Sequence, residues 1–204
     1  MMDPRRLADA PSARQTAFLV EAVAANTVVM TVLERAAAMA LPDHGLMAGA
    51  VYQAVWNALT GRDPAYGVND YDLGYFDATD LGEAAEDIVI RAGAAVFADV
   101  DAIVEIRNQA RVHLWFGAKH GVTRAPLTST SDAVANFASH THAVAVRLDA
   151  AGAMEVLAPF GLAELFSLQV RPVTALADPS GWNAKCLRQQ ALWPEVCFES
   201  VAIA

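Results

Sequence analysis

Two strand-patterned segments, DYDLGYF (residues 70–76) and AIVEIRN (102–108), are separated by one helix-patterned stretch, DLGEAAEDIVIRAGAAVFAD (80–99). A strand, a helix and a second strand in this order fit a crossover that sets the two strands side by side. Side chains along a strand alternate between its faces. Asp70 and Asp72 therefore share one face of the first strand, opposite Tyr71 and Leu73. In the second, Glu105 and Arg107 share a face opposite Val104 and Ile106. If the strands are neighbours, Asp70, Asp72 and Glu105 converge on one patch.

The surrounding pattern is mixed. Residues 15–40 read as one long alanine-rich helix ended by Pro42, and 43–49 as a short buried strand. Gly49 opens a helix that Gly61 stops. The stretch 109–121 carries no clear period. TSTSD (128–132) reads as a capping cluster for a short helix to Phe137, and 141–148 and 153–159 as a hairpin. A short helix over 161–168, an extended LQVRPV and a last helix capped by Ser180 complete the chain. The expected fold class is α+β, a small mixed sheet flanked by helices, with a flexible arm at 1–14 and one domain over 15–204.

Charge narrows the partners. The chain has 204 residues and a net charge of −9, with Arg and Lys scattered singly apart from Arg5–Arg6. No basic stripe is present to neutralise a phosphate backbone, so nucleic acid is a poor candidate partner. No uninterrupted apolar run reaches the ~18 residues of a membrane span. No signal-peptide pattern opens the chain, and Cys186 and Cys197 lack metal or redox spacing, so a cytoplasmic setting is expected.

Three clustered carboxylates repel one another unless something positive lies among them. Hard oxygen ligands suit Mg²⁺ or Mn²⁺. Asp-x-Asp alone also describes a solvated strand edge, and the acid on the next strand makes the two readings even. Gly49, between a buried strand and a helix, offers backbone N–H groups and a helix dipole to an anion, or forms a tight turn with no ligand. Arg107 and Arg111 are either phosphate contacts or ion-pair partners of the acids. Asn108 and Gln109 could bond a base or sugar, but more often satisfy backbone. His140 and His142 lack a third metal ligand with convincing spacing and read as structural. Trp56 and Trp115 read as core. Arg171 and Lys185 are candidate phosphate contacts only by analogy, since most such residues are solvated surface charges.

The segments GAVYQAVWNALTG, DYDLGYFD, EIRNQARVHLWF, APFGLAELF and WPE, in this order over roughly 45–195, resemble a bacterial nucleotidyltransferase-like family of the DNA polymerase beta-like nucleotidyltransferase superfamily. The resemblance implies the nucleotidyltransferase fold, with Asp70, Asp72 and Glu105 as catalytic ligands of two Mg²⁺ (or Mn²⁺). It implies Gly49, with Ala50 beside it, at the turn that holds the phosphates of a nucleoside triphosphate (NTP); Arg107 and Arg111, next to the acids, are the further nucleotide-contact candidates. The implied reaction is transfer of a nucleoside monophosphate to an acceptor that the motifs do not identify; the acidic net charge favours a small molecule or protein over a long nucleic acid. The sequence departs from the superfamily in three ways. The usual Gly-Gly or Gly-Ser is Gly49-Ala50, 20 residues lie between Gly49 and Asp70, and the third acid is Glu. These departures keep open a non-catalytic nucleotide- or metal-binding protein on the same fold, and phosphohydrolysis at the same site is a third possibility.

Overall fold

The computed structural model describes residues 4–173 and 176–202. Its centre is a five-stranded sheet of β1 (Gly45–Met47), β2 (Asp70–Tyr75), β3 (Ile103–Asn108), β4 (Ala145–Leu148) and β5 (Met154–Leu157), in the order β3-β2-β1-β4-β5. β2 and β3 are parallel, with Asp72 opposite Glu105 and Gly74 opposite Arg107. The helix between them, α5 (Glu83–Val96), is the crossover that the spacing predicts. The other pairings are antiparallel.

Alternation sorts the two faces. Leu46, Tyr71, Leu73, Ile106 and Val146 join the main core, together with the buried sides of α2 (Ser12–Ala24), α3 (Thr27–Ala38) and α4 (Gly49–Thr60). Met47 and Ala145, their next-door neighbours in sequence, join a smaller cluster on the opposite face with Val112 and Val134. Those two residues belong to α6 (Val112–His120) and α7 (Thr130–Ala135). Helix α4 is apolar nearly all round, and Ala50, Val51, Val55 and Trp56 are fully buried. Such a helix must be covered on every side. Part of its cover is α9 (Pro179–Leu192), joined to it by hydrogen bonds from Gln189 Nε2 to the Tyr52 hydroxyl (2.7 Å) and from Trp193 Nε1 to Asn57 Oδ1 (2.8 Å).

Several boundaries differ from the sequence expectation. The single helix over 15–40 is two helices meeting at 97°. Asn26 breaks it: its Oδ1 accepts from Val28 N (3.0 Å) and Val29 N (3.2 Å), and its Nδ2 donates to Pro64 O. A side chain that satisfies the exposed N–H groups of a new helix competes with continuing the old one. Residues 4–14, expected as part of a flexible arm, are ordered. Pro4–Ala8 forms α1, Leu7 is 1% exposed, and Gln15 Nε2 donates to Leu7 O and Ala8 O. The unclear stretch is a 3₁₀ turn (Gln109–Arg111) leading into α6. His140–His142 is a 3₁₀ turn before β4 rather than part of that strand. The last helix is capped by Asp178, whose carboxylate accepts from Gly181 N (2.8 Å), while Ser180 donates to that same carboxylate. Gly61 ends α4 in the left-handed conformation (φ 71°), as its position predicts. The rest of the chain comprises α8 (Ala163–Ser167) and a two-stranded sheet of β6 (Gln169–Val170) with β7 (Cys197–Phe198). Both cysteines are free thiols. Among the described residues no single helix is long and apolar enough to cross a membrane.

Candidate functional site

The β2–β3 register brings the carboxylate-bearing positions together. Asp70 and Asp72 lie on the exposed phase of β2, and Glu105 is directly across from Asp72 on β3. The proximity has an electrostatic signature. The Asp72 carboxyl is pushed up to about 6, chiefly by crowding against protein atoms and then by the negative charges of Asp70 and Glu105. Lys185 and Arg107 oppose that shift. The side chains as placed do not close on one point: among the described residues, no group of three His, Cys, Asp or Glu is positioned to hold a metal ion. Glu105 is drawn instead toward Arg107, whose Nη2 lies 3.4 Å from its Oε2. The donor chemistry fits a divalent cation, being all carboxylate and mutually repulsive. Gathering around one would require Glu105 to release Arg107.

Gly74 continues the same face. A Cβ there would come within 2.3 Å of Met47 Cε, so the missing side chain lets Met47 lie over β2 beside the carboxylates. A larger residue would require the flexible end of Met47 to shift.

The turn into α4 passes through Ala48, which holds φ 49° and ψ −107°, outside the usual region for a residue with a Cβ. Ala48 O accepts from both Val51 N (2.9 Å) and Tyr52 N (3.0 Å). Helix geometry leaves the N–H groups of Gly49 and Ala50 without intrahelical acceptors, at the positive end of the helix dipole. Ala50 is buried whole, backbone included, and borders neither chamber, so of the two residues only Gly49 lines the polar chamber described below.

Two chambers flank Asp72. The smaller, about 270 Å³ and mainly polar, is bounded by Gly49, Gln53, Asn69, Asp70 and Arg188. The larger, about 500 Å³ and mainly apolar, runs from Glu105 and Arg107 to Trp115, Phe116 and Trp182. Ala48, Asp72 and Lys185 border both. Lys185, a phosphate-contact candidate by analogy in the sequence, thus stands at the junction. The buried Trp182, Cys186 and Gln189 fix the inner face of α9, and that face sets where Lys185 and Arg188 project. Arg188 carries no motif, and only the helical phase of α9 would have singled it out.

Other residues fall differently from their sequence reading. Arg111 is withdrawn as a nucleotide contact. It forms a buried ion pair with Glu86, its Nε donates to Leu81 O (3.0 Å), and it borders neither chamber. Glu86 also accepts from Asn108 N (2.8 Å). Asn108 is buried and structural, tying the ends of β2 and β3 through Asp77 N and O. Gln109 borders the larger chamber. Trp56 is core, as expected, but Trp115 is only half-buried and forms part of the chamber wall. His142 is 3% exposed, with its ring 4.6 Å from that of Tyr52, and also borders the larger chamber. Burial and the charge of Lys185 hold its imidazole neutral, well below the usual range. Its Nε2 has no hydrogen-bond partner. His140, by contrast, is exposed and stacked on Phe160 at 4.0 Å.

A carboxylate-bearing strand pair beside the N-terminus of a buried helix, in a mixed five-stranded sheet, is the arrangement of a nucleotidyltransferase head. A solution structure described as revealing a CCA-adding enzyme head domain superposes on this chain with a TM-score of 0.70. The match covers 90% of this chain and 95% of the other, at 24% identity. The fold is therefore the α+β nucleotidyltransferase fold. No curated protein matches the sequence at a significant level. A sequence profile described as Nucleotidyltransferase matches residues 34–198, and the chain belongs to that nucleotidyltransferase family.

Proposed function

We propose that this protein transfers a nucleoside monophosphate from an NTP to a small-molecule or protein acceptor. The observation that carries this reading is the placement of Asp72 and Lys185 between a polar chamber at the α4 N-terminus and a second chamber open to the acceptor. In the step, the acceptor oxygen forms a bond to the α-phosphorus. The bond between that phosphorus and the bridging oxygen to the β-phosphate breaks. The electron pair leaves on pyrophosphate, and the acceptor proton passes to solvent. Asp70, Asp72 and Glu105 would hold Mg²⁺ or Mn²⁺, which when bound neutralises the triphosphate and the developing charge. The Gly49 N–H and Arg188 receive phosphate oxygens, and Lys185 lies between donor and acceptor.

The test is thermal stability with each of the four NTPs, with and without Mg²⁺, on wild type and on Asp70→Asn/Asp72→Asn. A ligand that binds only the folded state raises its stability. A Mg²⁺-dependent rise with one NTP, absent in the double variant, identifies the donor. No rise with any NTP sinks the reading. The Glu105–Arg107 contact and the open spacing of the acids favour one alternative, a non-catalytic nucleotide-binding protein on the same fold. Under it, an NTP binds without Mg²⁺ dependence and no pyrophosphate is released. Free phosphate as the product would instead indicate hydrolysis.

A further inference from the structure

The larger chamber differs from the smaller in chemistry, and the difference identifies an acceptor class. Its walls are aromatic and aliphatic, with Trp115, Phe116, Phe137 and Trp182 among them. Its volume of about 500 Å³ lies within the range of small-molecule sites, roughly 300–1,000 Å³. Two cations at its border, Lys185 and Arg124, form no salt bridge among the described residues, and Lys185 acts on Asp72 at longer range. The Arg124 guanidinium lies 4.1 Å from the centre of the Phe116 ring and donates only a long 3.4 Å hydrogen bond to Asn136 O. No salt bridge to Arg124 forms among the described residues, although Asp132 acts on it at longer range. His120 stands on the same ring at 4.5 Å. A desolvated guanidinium over an aromatic wall is matched by an anion attached to a flat apolar body.

The polar chamber lies on the other side of Asp72, at the helix N-terminus, and suits a triphosphate. A chain of net charge −9 whose cations line a cleft of this size is poorly built for a long polyanion. We propose that the larger chamber binds the acceptor, and that the acceptor is a small aromatic acid. Its carboxylate or phosphate pairs with Arg124, its ring lies between Trp115 and Phe137, and its nucleophilic hydroxyl or amine points toward Asp72 and Glu105. This rests on the nucleotidyl-transfer reading above.

The experiment uses 2-naphthoate and its neutral counterpart 2-naphthalenemethanol as probes, in calorimetric titrations of the full chain with and without the Mg·NTP that gives the largest thermal shift. The expected result has three parts. Naphthoate binds at least tenfold more tightly than the alcohol. Arg124→Gln abolishes that preference while keeping the NTP shift. Arg188→Gln weakens the NTP shift while keeping naphthoate binding. Naphthoate must also bind with the NTP saturating. Competition between naphthoate and NTP overturns the proposal, because the chamber then holds the donor's base. Absence of naphthoate binding, or an unchanged preference in Arg124→Gln, overturns it too. In these cases the NTP shift survives, and only the chamber assignment falls. Loss of every NTP shift with naphthoate binding intact removes the transfer reading itself, and the acceptor role goes with it.

Discussion

Strands β2 and β3 present two faces that differ by one residue of phase and behave oppositely. On one, Tyr71, Leu73 and Ile106 are buried against helices. On the other, Asp70, Asp72 and Glu105 hold like charges side by side. The first face stabilises the fold by removing apolar surface from water. The second works against it, since the elevated Asp72 carboxyl reports an anion held where neutral would be easier. A backbone that tolerates such a face must be secured elsewhere. Here the security comes from the core face and from the Arg111–Glu86–Asn108 cluster at the strand ends.

The largest effect is expected at that cluster. Glu86→Ala leaves the Arg111 guanidinium buried without its partner, and breaking a buried pair this way costs about 3–5 kcal/mol. Denaturant unfolding should show this loss. A change below 1 kcal/mol would mean that Arg111 swings out to solvent and that the strand ends do not depend on it. On the core face, Leu73→Ala should cost about 2–5 kcal/mol through lost burial and the cavity left behind. Asn26→Ala should cost roughly 1 kcal/mol, as expected for an N-cap. It should leave any NTP-induced shift intact, since Asn26 bounds neither chamber.

The faces were legible before the structure because strand alternation is local: each side chain's phase follows from its neighbours alone. The crossover from 70–76 to 102–108 was legible for the same reason, since length and pattern limit what can join two parallel strands. What escaped was long-range. Arg111 looks like a phosphate ligand until Glu86, 25 residues earlier on α5, claims it. Lys185 and Arg188 reach the site only because Gln189 and Trp193 dock α9 on α4, across 137 and 136 residues of chain. The bend at Asn26 depends on a local cap, but its pull on Pro64 O does not. Ala50 departs from the usual glycine or serine beside the turn glycine. Ala50 is buried whole, so the departure removes a hydroxyl from the turn and leaves Gly49 as the partly exposed residue there.

The smallest effect has the opposite sign, which makes it the sharpest comparison between the faces. The Asp72 carboxyl rises from its ordinary 3.8 to about 6 in the folded chain. Between those values the folded state holds more protons than the unfolded one, so stability falls as pH rises through this window. At pH 4 the folded carboxyl is neutral and the unfolded one only partly ionised, so most of the repulsion is relieved and Asp72→Asn should change little. Above pH 6 the full repulsion acts and the substitution should stabilise the metal-free protein. Asp72 is crowded by protein on one side yet remains exposed, and solvent screens its charge, so the gain should be a few tenths to about 1 kcal/mol. Melting curves of both proteins at pH 4 and pH 8 test this directly. Excess Mg²⁺ at pH 8 should then reverse the order, because a bound cation converts the repulsion into attraction and only wild type can exploit it fully. If Asp72→Asn stabilises equally with and without Mg²⁺, the charged face binds no cation. The carboxylates would then be a solvated edge whose charges the core face merely outweighs.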